Sequence, residues 1–539
     1  MKRFLLSLFT FQLSLILLSP SLEAQKRGDI VFLYENDVHC ATQGYPVIAG
    51  LRDSLQRQGC HVGVLSEGDF SFGGLLGSAS KGFYLLRLMN AVGYDATCLG
   101  NHEFDLGVPH LYLMDSILDA PMLCCNFRSS ITGEGLMLPF VIRSFGSRRV
   151  AFVGVTTPST ISSTSPIHFQ DEEGRFIYNF NTSGLAANVQ QWIDAARAAG
   201  ADYVILMSHL GDEEGEQTST WLLPQISGVD AVLDGHDHHV IRQRMLSDRN
   251  GRLVPVSSTG TQFHYIGMLT IPQQGGEITT RLLLTDSLMN NGCVNAAVRD
   301  TLAAIMHENE LLGNHHVADN AYFLQSYDRE KDLRIIRLQE TNLGNLISDA
   351  FRVVLKTDIG WVNGGAVREN LTAPSITRND LLTVLPYLNK ARIAEVSGQE
   401  ILDALETAVK GWPIAEGGFP QVSGLIFHFD TTIKSSVVLD SNGMFVRVDG
   451  PRRVSRVRVL RESGYEPLDP SARYTIAASD YLLLFGGDGI VFPSRRVLPM
   501  PDGLPAVITD LDLVEHYIVD ILGGTIPTRY KSAEGRMEY

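Results

Sequence analysis

Five short apolar runs in the first half of the chain each end in a cluster of Asp, Asn, Glu or His, and this repetition constrains the fold more than any other feature. Run 29–34 leads into Asn36, Asp37 and His39. Run 61–65 leads into Glu67, Gly68 and Asp69. A run closing at Leu99 opens into Gly100, Asn101, His102, Glu103, Phe104 and Asp105. Run 202–207 leads into His209, and run 230–233 into Gly235, His236, Asp237, His238 and His239. Short apolar runs bounded by turn residues read as buried strands. Open α/β sheets bind ligands beyond the carboxyl ends of their strands. Five decorated ends therefore predict one convergent site. At the third, Gly100 allows a sharp turn, and an amide, an imidazole and two carboxylates follow within five residues.

Helices are expected between these strands, over 47–58, 80–92, 108–118 and 185–199, with further strands at 150–155, 253–256 and 266–271. The alternation implies layered α/β packing. A chain of 539 residues is too long for one ordinary domain. A helical stretch over 295–312 precedes a change of character, and the boundary is placed near residue 310. Beyond it, helices are expected at 342–356, 378–385, 398–410 and 511–522, and strands at 359–362, 425–429, 454–460 and 474–477. No internal repeat or low-complexity tract appears.

The first residues read as a targeting segment. Met1-Lys2-Arg3 is basic, 4–18 is almost wholly apolar, and Ala24 offers a small residue for cleavage. This is the pattern of a secretory signal peptide over 1–24, so the mature chain is expected to be exported, periplasmic or secreted, without a stable membrane anchor. A formal net charge of −16 disfavours a nucleic-acid polymer as partner. An acidic protein that handles phosphate needs local positive charge, from metals or placed arginines. The six cysteines show no zinc-ribbon spacing. Cys98, Cys124 and Cys125 lie in or beside apolar runs and are expected as buried thiols.

Asp37, His39, Asp69, Asn101, His209, His236 and His238 form an oxygen and imidazole donor set suited to zinc, manganese, iron or cobalt. A carboxylate can bridge two cations. Two metals held ~3.5–4 Å apart acidify a water between them and clamp a phosphoryl group in flight. His102 can face a substrate, and Asp105 can hold its imidazole in one tautomer.

On these motifs the chain resembles the exported two-domain metallophosphoesterases that include 5'-nucleotidases and UDP-sugar hydrolases. Asn36–His39, Gly68-Asp69, Gly100–Asp105, His209–Gly211 and Gly235–His239 carry the likeness in the first part. Asn342–Asn345, Asn363–Arg368 and Gly486–Gly489 carry it in the second. The resemblance implies an α/β fold: a calcineurin-like αββα sandwich over 25–310 and an α+β nucleotide-binding domain over 311–539. It implies two divalent ions of the zinc, manganese or cobalt class. One would take Asp37, His39, Asp69 and His238, the other Asp69, Asn101, His209 and His236, with Asp69 bridging. His102, held by Asp105, would stabilise charge on the transferred phosphoryl oxygens while metal-activated water attacks. Arg337, Asn363 and Arg368 would hold substrate near its phosphate and ribose, Phe419 would stack on the base, and Asp488 would contact the ribose.

The chain departs from the family pattern at two places. Cys40 replaces the usual Gly after the first His. The second base-stacking aromatic usually stands six residues before the Asp of the GGDG turn, and that position is Leu482. Either Leu482 forms the wall, or a one-residue bulge swings Tyr481 into the slot; the bulge is favoured. The resemblance implies release of phosphate from nucleoside 5'-monophosphates. UDP-sugar hydrolysis and 2',3'-cyclic-nucleotide phosphodiesterase with 3'-nucleotidase activity share the same metal domain. A nucleotide-binding surface protein without catalysis is the non-enzymatic alternative, and it would have no need of His102.

Overall fold

The structure is a computed structural model that describes residues 25–213, 217–310, 314–331, 333–372 and 374–539. The segment 1–24, expected as a signal peptide, lies outside the described residues. Strand Ile30–Glu35 shows how the first half is layered. Ile30, Phe32 and Tyr34 point into one apolar cluster, and Val31 and Leu33 into another. Side chains alternate across a strand, and here both faces are covered. Ile30–Glu35 pairs in parallel with His61–Ser66, which leads on to Ala96–Cys98 and Met122–Leu123, while Tyr265–Ile271 and Thr279–Leu284 close the other edge antiparallel. A second six-stranded sheet centres on the parallel strands Arg148–Thr156, Tyr203–His209, Ala231–Leu233 and Leu253–Thr259.

The two sheets face each other across Phe32, Tyr34, Cys98, Phe152, Ile205 and Leu233. Helices Gly44–Arg57, Phe83–Val92 and Val108–Ile117 cover the first sheet, with Ala296–Glu310 packed on the first two of them, and Leu185–Ala198 covers the second. This is an αββα sandwich. The helix expected over 80–92 begins three residues late, at Phe83–Val92, and a separate short helix, Leu75–Ser80, precedes it. Lys81 at φ 55° and Gly82 at φ 85° separate the two.

The second half packs helices Asn342–Val354 and Asp510–His516 on one face of a five-stranded sheet and helix Gly398–Ala408 on the other. Ser397 and Glu400 form a reciprocal cap that starts the last of these helices. A four-stranded sheet that includes Leu425–Phe429 and Val454–Arg461 packs beside it. A separate hairpin, Val437–Leu439 with Phe445–Val448, projects between them in sequence. The helix expected over 511–522 is a shorter α-helix followed by a π turn, Tyr517–Ile521. Ser78 Oγ donates to the Pro386 carbonyl, and Tyr481 Oη donates to the Ser162 carbonyl at 3.2 Å, so the two halves touch around one cleft. All six cysteines are free. Among the described residues no helix is long and apolar enough to cross a membrane.

Candidate active site

The parallel strands of both sheets deliver their carboxyl ends to one place. Asp37 and His39 follow Ile30–Glu35, Asp69 follows His61–Ser66, and Asn101 and His102 follow Ala96–Cys98. His209 ends Tyr203–His209, and His236 and His238 follow Ala231–Leu233 in the facing sheet. The loops carrying these residues are tightly wound. Asp37, His39, Asp69, His236 and His238 have φ of 51°, 43°, 57°, 88° and 61°. Positive φ is uncommon for residues with a side chain, and such strain collects at functional sites. Two of the loops touch so closely that a Cβ on Gly68 would lie 2.3 Å from the Gly100 amide nitrogen.

The donor atoms converge as lone pairs. His39 Nδ1 faces the Phe72 carbonyl at 3.0 Å and His209 Nδ1 faces the Glu67 carbonyl at 2.6 Å. Carbonyls only accept, so each Nδ1 carries a proton, and each ring in its neutral form presents a lone pair at Nε2. His39 Nε2 meets His238 Nε2 at 3.0 Å, and His209 Nε2 lies 3.4 Å from Asp69 Oδ2. Asp37 Oδ1 and His209 Nε2 are buried without any hydrogen-bond partner. Imidazole nitrogens and carboxylate oxygens crowded together, with buried ligand atoms that have no hydrogen-bond partner, fit divalent cations. Asp37, His39 and His238 form one group of mutually close donor atoms, Asp37, Asp69 and His209 a second, and His39, Asp69 and His102 a third. Asn101 Oδ1 and His236 Nδ1 face each other at 3.0 Å beside them.

His102 Nδ1 donates to Asp105 Oδ2 at 2.8 Å, which leaves Nε2 4.0 Å from Asp69 Oδ2. Burial works against a charged ring here, but Asp105 and then Asp69 outweigh it and raise the His102 pKa above its usual value. The backbone amide of His102 donates to Asp69 Oδ1 at 2.9 Å, tying the dyad to the shared carboxylate.

Three arginines from the second half face this centre. Arg337 and Arg368 were singled out in the sequence; Arg334 was not. No carboxylate pairs with any of them among the described residues, and Nε of all three is buried without a partner. Burial and then the charge of Arg368 lower the Arg337 pKa to about 10. Unpaired clustered guanidiniums are an anion site. The Arg334 signal was available in the three-residue spacing Arg334–Arg337.

Asn363 Nδ2 donates to Asp488 Oδ2 at 2.9 Å. Gly417 and Gly418 approach Asp488 so closely that a Cβ on Gly418 would lie 2.9 Å from its Cβ. Asp69, Asn101, His102, the three arginines, Asn363, Tyr481 and Asp488 all line one cleft of about 1340 Å³.

Two residues expected to hold the base lie elsewhere. Phe419 is 2 % exposed and joins the core, edge-on to Phe429 at 6.2 Å. Leu482 is also 2 % exposed and packs in the same core. Tyr481 lines the cleft, but no bulge carries it there. Residues Asp480–Leu483 form a helical turn capped by Ser479. The Tyr481 ring packs on Gly487, where a Cβ would lie 2.3 Å away, and its hydroxyl accepts from the Asp488 amide at 3.0 Å.

Glu103 also went unassigned in the sequence. Its carboxylate accepts from the amides of Asp69, Phe70, Ser71 and Gly100 and from the Ser71 hydroxyl, at 2.8–3.2 Å. It staples the Asp69 loop to the Gly100 loop from behind.

Comparison with known proteins places these features in a family context. A model of the calcineurin-like phosphoesterase domain matches residues 30–240, and a model of the 5'-nucleotidase C-terminal domain matches residues 318–494. A 5'-nucleotidase of Vibrio parahaemolyticus is 25% identical over 476 residues, covering 79% of this chain and 81% of that protein. A 5'-nucleotidase of Rattus norvegicus is 24% identical over 590 residues, covering 98% of this chain and 93% of that one. Among solved structures, a 5'-nucleotidase precursor from Thermus thermophilus shares the fold with a TM-score of 0.78 at 23% identity, over 95% of this chain and 99% of that chain. A Thermus thermophilus sulfate thiohydrolase also shares it, with a TM-score of 0.69 at 20% identity over 95% of this chain and 96% of that chain.

Proposed function

The chain carries a calcineurin-like phosphoesterase domain followed by a 5'-nucleotidase C-terminal domain and so belongs to the two-domain 5'-nucleotidase family of metal-dependent phosphoric monoester hydrolases, and from this premise we propose that it is exported and releases phosphate from nucleoside 5'-monophosphates. The observation that carries the reading is the shared cleft. It joins a cation-ready donor cluster, a His–Asp dyad, three unpaired arginines and the Asn363–Asp488 pair.

Each part has a role that its chemistry supports. Asp37, His39, Asp69 and His238 would hold one divalent ion, and Asp69, Asn101, His209 and His236 a second. When bound, two such ions activate water and neutralise phosphoryl charge. Asp105 fixes the His102 tautomer, so that Nε2 is the nitrogen available to the phosphoryl oxygens. With Nδ1 committed to Asp105, a proton on Nε2 would make it a preorganised donor aimed at developing charge, the larger part of such catalysis. Arg334, Arg337 and Arg368 draw the phosphate in and pair with oxygens not held elsewhere. The Asp488 carboxylate, steadied by Asn363, is an acceptor for ribose hydroxyls, and Tyr481 offers the base an aromatic wall. In this division of labour residues 25–310 supply the chemistry and residues 311–539 the selectivity. The segment 1–24 would direct export to the periplasm or outside the cell.

The test is hydrolysis by purified, metal-loaded protein of AMP, UMP, ATP, UDP-glucose and 2',3'-cyclic AMP, with manganese, zinc or cobalt, followed by substrate loss and product identity as well as by phosphate release. Turnover of AMP and UMP well above the others supports the reading. Preference for UDP-glucose or the cyclic nucleotide would reassign the substrate, and binding without turnover would make the chain a nucleotide-binding protein.

A further inference from the structure

Tyr387 reaches His102 from the opposite half of the molecule. Its ring stacks on the His102 ring with centroids 5.7 Å apart and planes inclined by 20°. The Arg368 guanidinium lies 5.9 Å from the same aromatic ring. On another side of His102 the His39 ring meets it edge-on at 5.2 Å and 74°. The imidazole is thus bracketed by a neighbour of its own domain and a face supplied by the other.

The residues flanking Tyr387 are also committed to this contact. The Pro386 carbonyl accepts the Ser78 hydroxyl from the first domain. Leu388 sits at φ 53°, a conformation that bulky residues rarely adopt. The Tyr387 hydroxyl is sealed from solvent and has no hydrogen-bond partner. A buried orphaned hydroxyl contributes nothing to holding the ring. What Tyr387 offers is therefore its flat face.

We propose that Tyr387 is a positioning residue that holds His102 in its working orientation from the second domain, so that the dyad is complete only when that domain is docked on the first. This rests on the phosphohydrolase reading above. The Asp105 hydrogen bond fixes the tautomer, yet one bond leaves the ring free to swing about it. A stacked aromatic face removes that freedom. One consequence separates this role from base selection: turnover of a phosphomonoester that has no nucleobase must depend on Tyr387 as strongly as turnover of a nucleotide.

The test compares full-length, metal-loaded parent with Tyr387→Leu, Tyr387→Met and Tyr387→Phe on AMP and on an aryl phosphate. Leu and Met should lower kcat by ~10–100-fold on both substrates, because small misplacements of a reacting group cost rate at that scale. KM should stay within about threefold and bound metal should be unchanged, since neither ligands nor arginines are altered. Tyr387→Phe should restore kcat, as it keeps the face and loses only the orphaned hydroxyl. In a His102→Ala background the Leu change should cost less than about twofold, the signature of two residues acting as one unit. The role is overturned by Leu and Met variants that match the parent, by a loss that persists in full without His102, or by a Phe variant as slow as Leu. A parent inactive on both substrates would remove the phosphohydrolase reading and this role with it.

Discussion

Replacing Glu103 with Gln tests whether the metal site is built from behind as the hydrogen bonds indicate. The substitution keeps size and shape and changes one oxygen to an NH₂ group. Oε1 accepts from Phe70 N, Ser71 N and Ser71 Oγ, and Oε2 from Asp69 N and Gly100 N. A glutamine can serve only one of these sets. Keeping the larger one leaves the Asp69 and Gly100 amides facing an NH₂ group. Each buried donor left unpaired costs ~1–3 kcal/mol, so the pair costs roughly 2–6 kcal/mol. Against a typical domain stability of ~5–15 kcal/mol this is large. The cheaper escape is for the Asp69 loop to move, and Asp69 belongs to two of the donor groups. Metal affinity should then fall ~10–100-fold, the usual cost of losing a partner behind a ligand. Calorimetry should show a lower Tm, metal titration a weaker Kd, and saturating metal should recover part of the phosphate release. A Glu103→Gln protein with unchanged Tm and unchanged metal affinity would refute the reasoning.

Three further outcomes follow from the cleft. His102→Ala should keep both metals and lose ~10²–10³-fold in kcat, as for removal of one preorganised donor, and Asp105→Asn should lose the same or less; a His102→Ala variant within a few-fold of the parent would eliminate its role. Arg337→Ala should raise KM ~10–100-fold for AMP and aryl phosphate alike, the value of a charge-assisted hydrogen bond to phosphate, and an effect confined to AMP would move Arg337 from the phosphate to the nucleoside. Tyr481→Ala should raise KM for AMP by at least ~5-fold while sparing the aryl phosphate, because stacking on a base is worth ~1–3 kcal/mol; Leu482→Ala should instead lower Tm, since a core leucine truncation costs ~2–5 kcal/mol, and the reverse pattern would place the base against Leu482.

What could be read in the sequence was what local chemistry announces. Asp37, Asp69, Asn101, His209 and His236 each follow an apolar run, and strand ends in α/β sheets have one place to go. The helices were legible in position because their apolar faces repeat along the chain, and their ends erred where a single residue decides, as at Lys81 and Gly82. The burial of Phe419 was not legible because it depends on Phe429, a partner in strand Leu425–Phe429 that no local pattern reveals. The role of Glu103 is not legible in the sequence, because four of its five donors are backbone amides, which have no sequence signature. Tyr387 had no signal at all. Its meaning comes from His102 across the domain boundary, a contact that exists only after both halves have folded and met.

Metal titration of the stripped, full-length protein, followed by phosphate release from AMP, tests the central claim most directly. A site whose clusters share Asp37 and Asp69 predicts no activity without metal, and full activity only when about two equivalents are bound per chain, as cooperating two-metal centres require. Asp69→Ala should lose metal and activity together. Full turnover of AMP by metal-free protein, or by an Asp69→Ala variant, would contradict the two-metal phosphohydrolase.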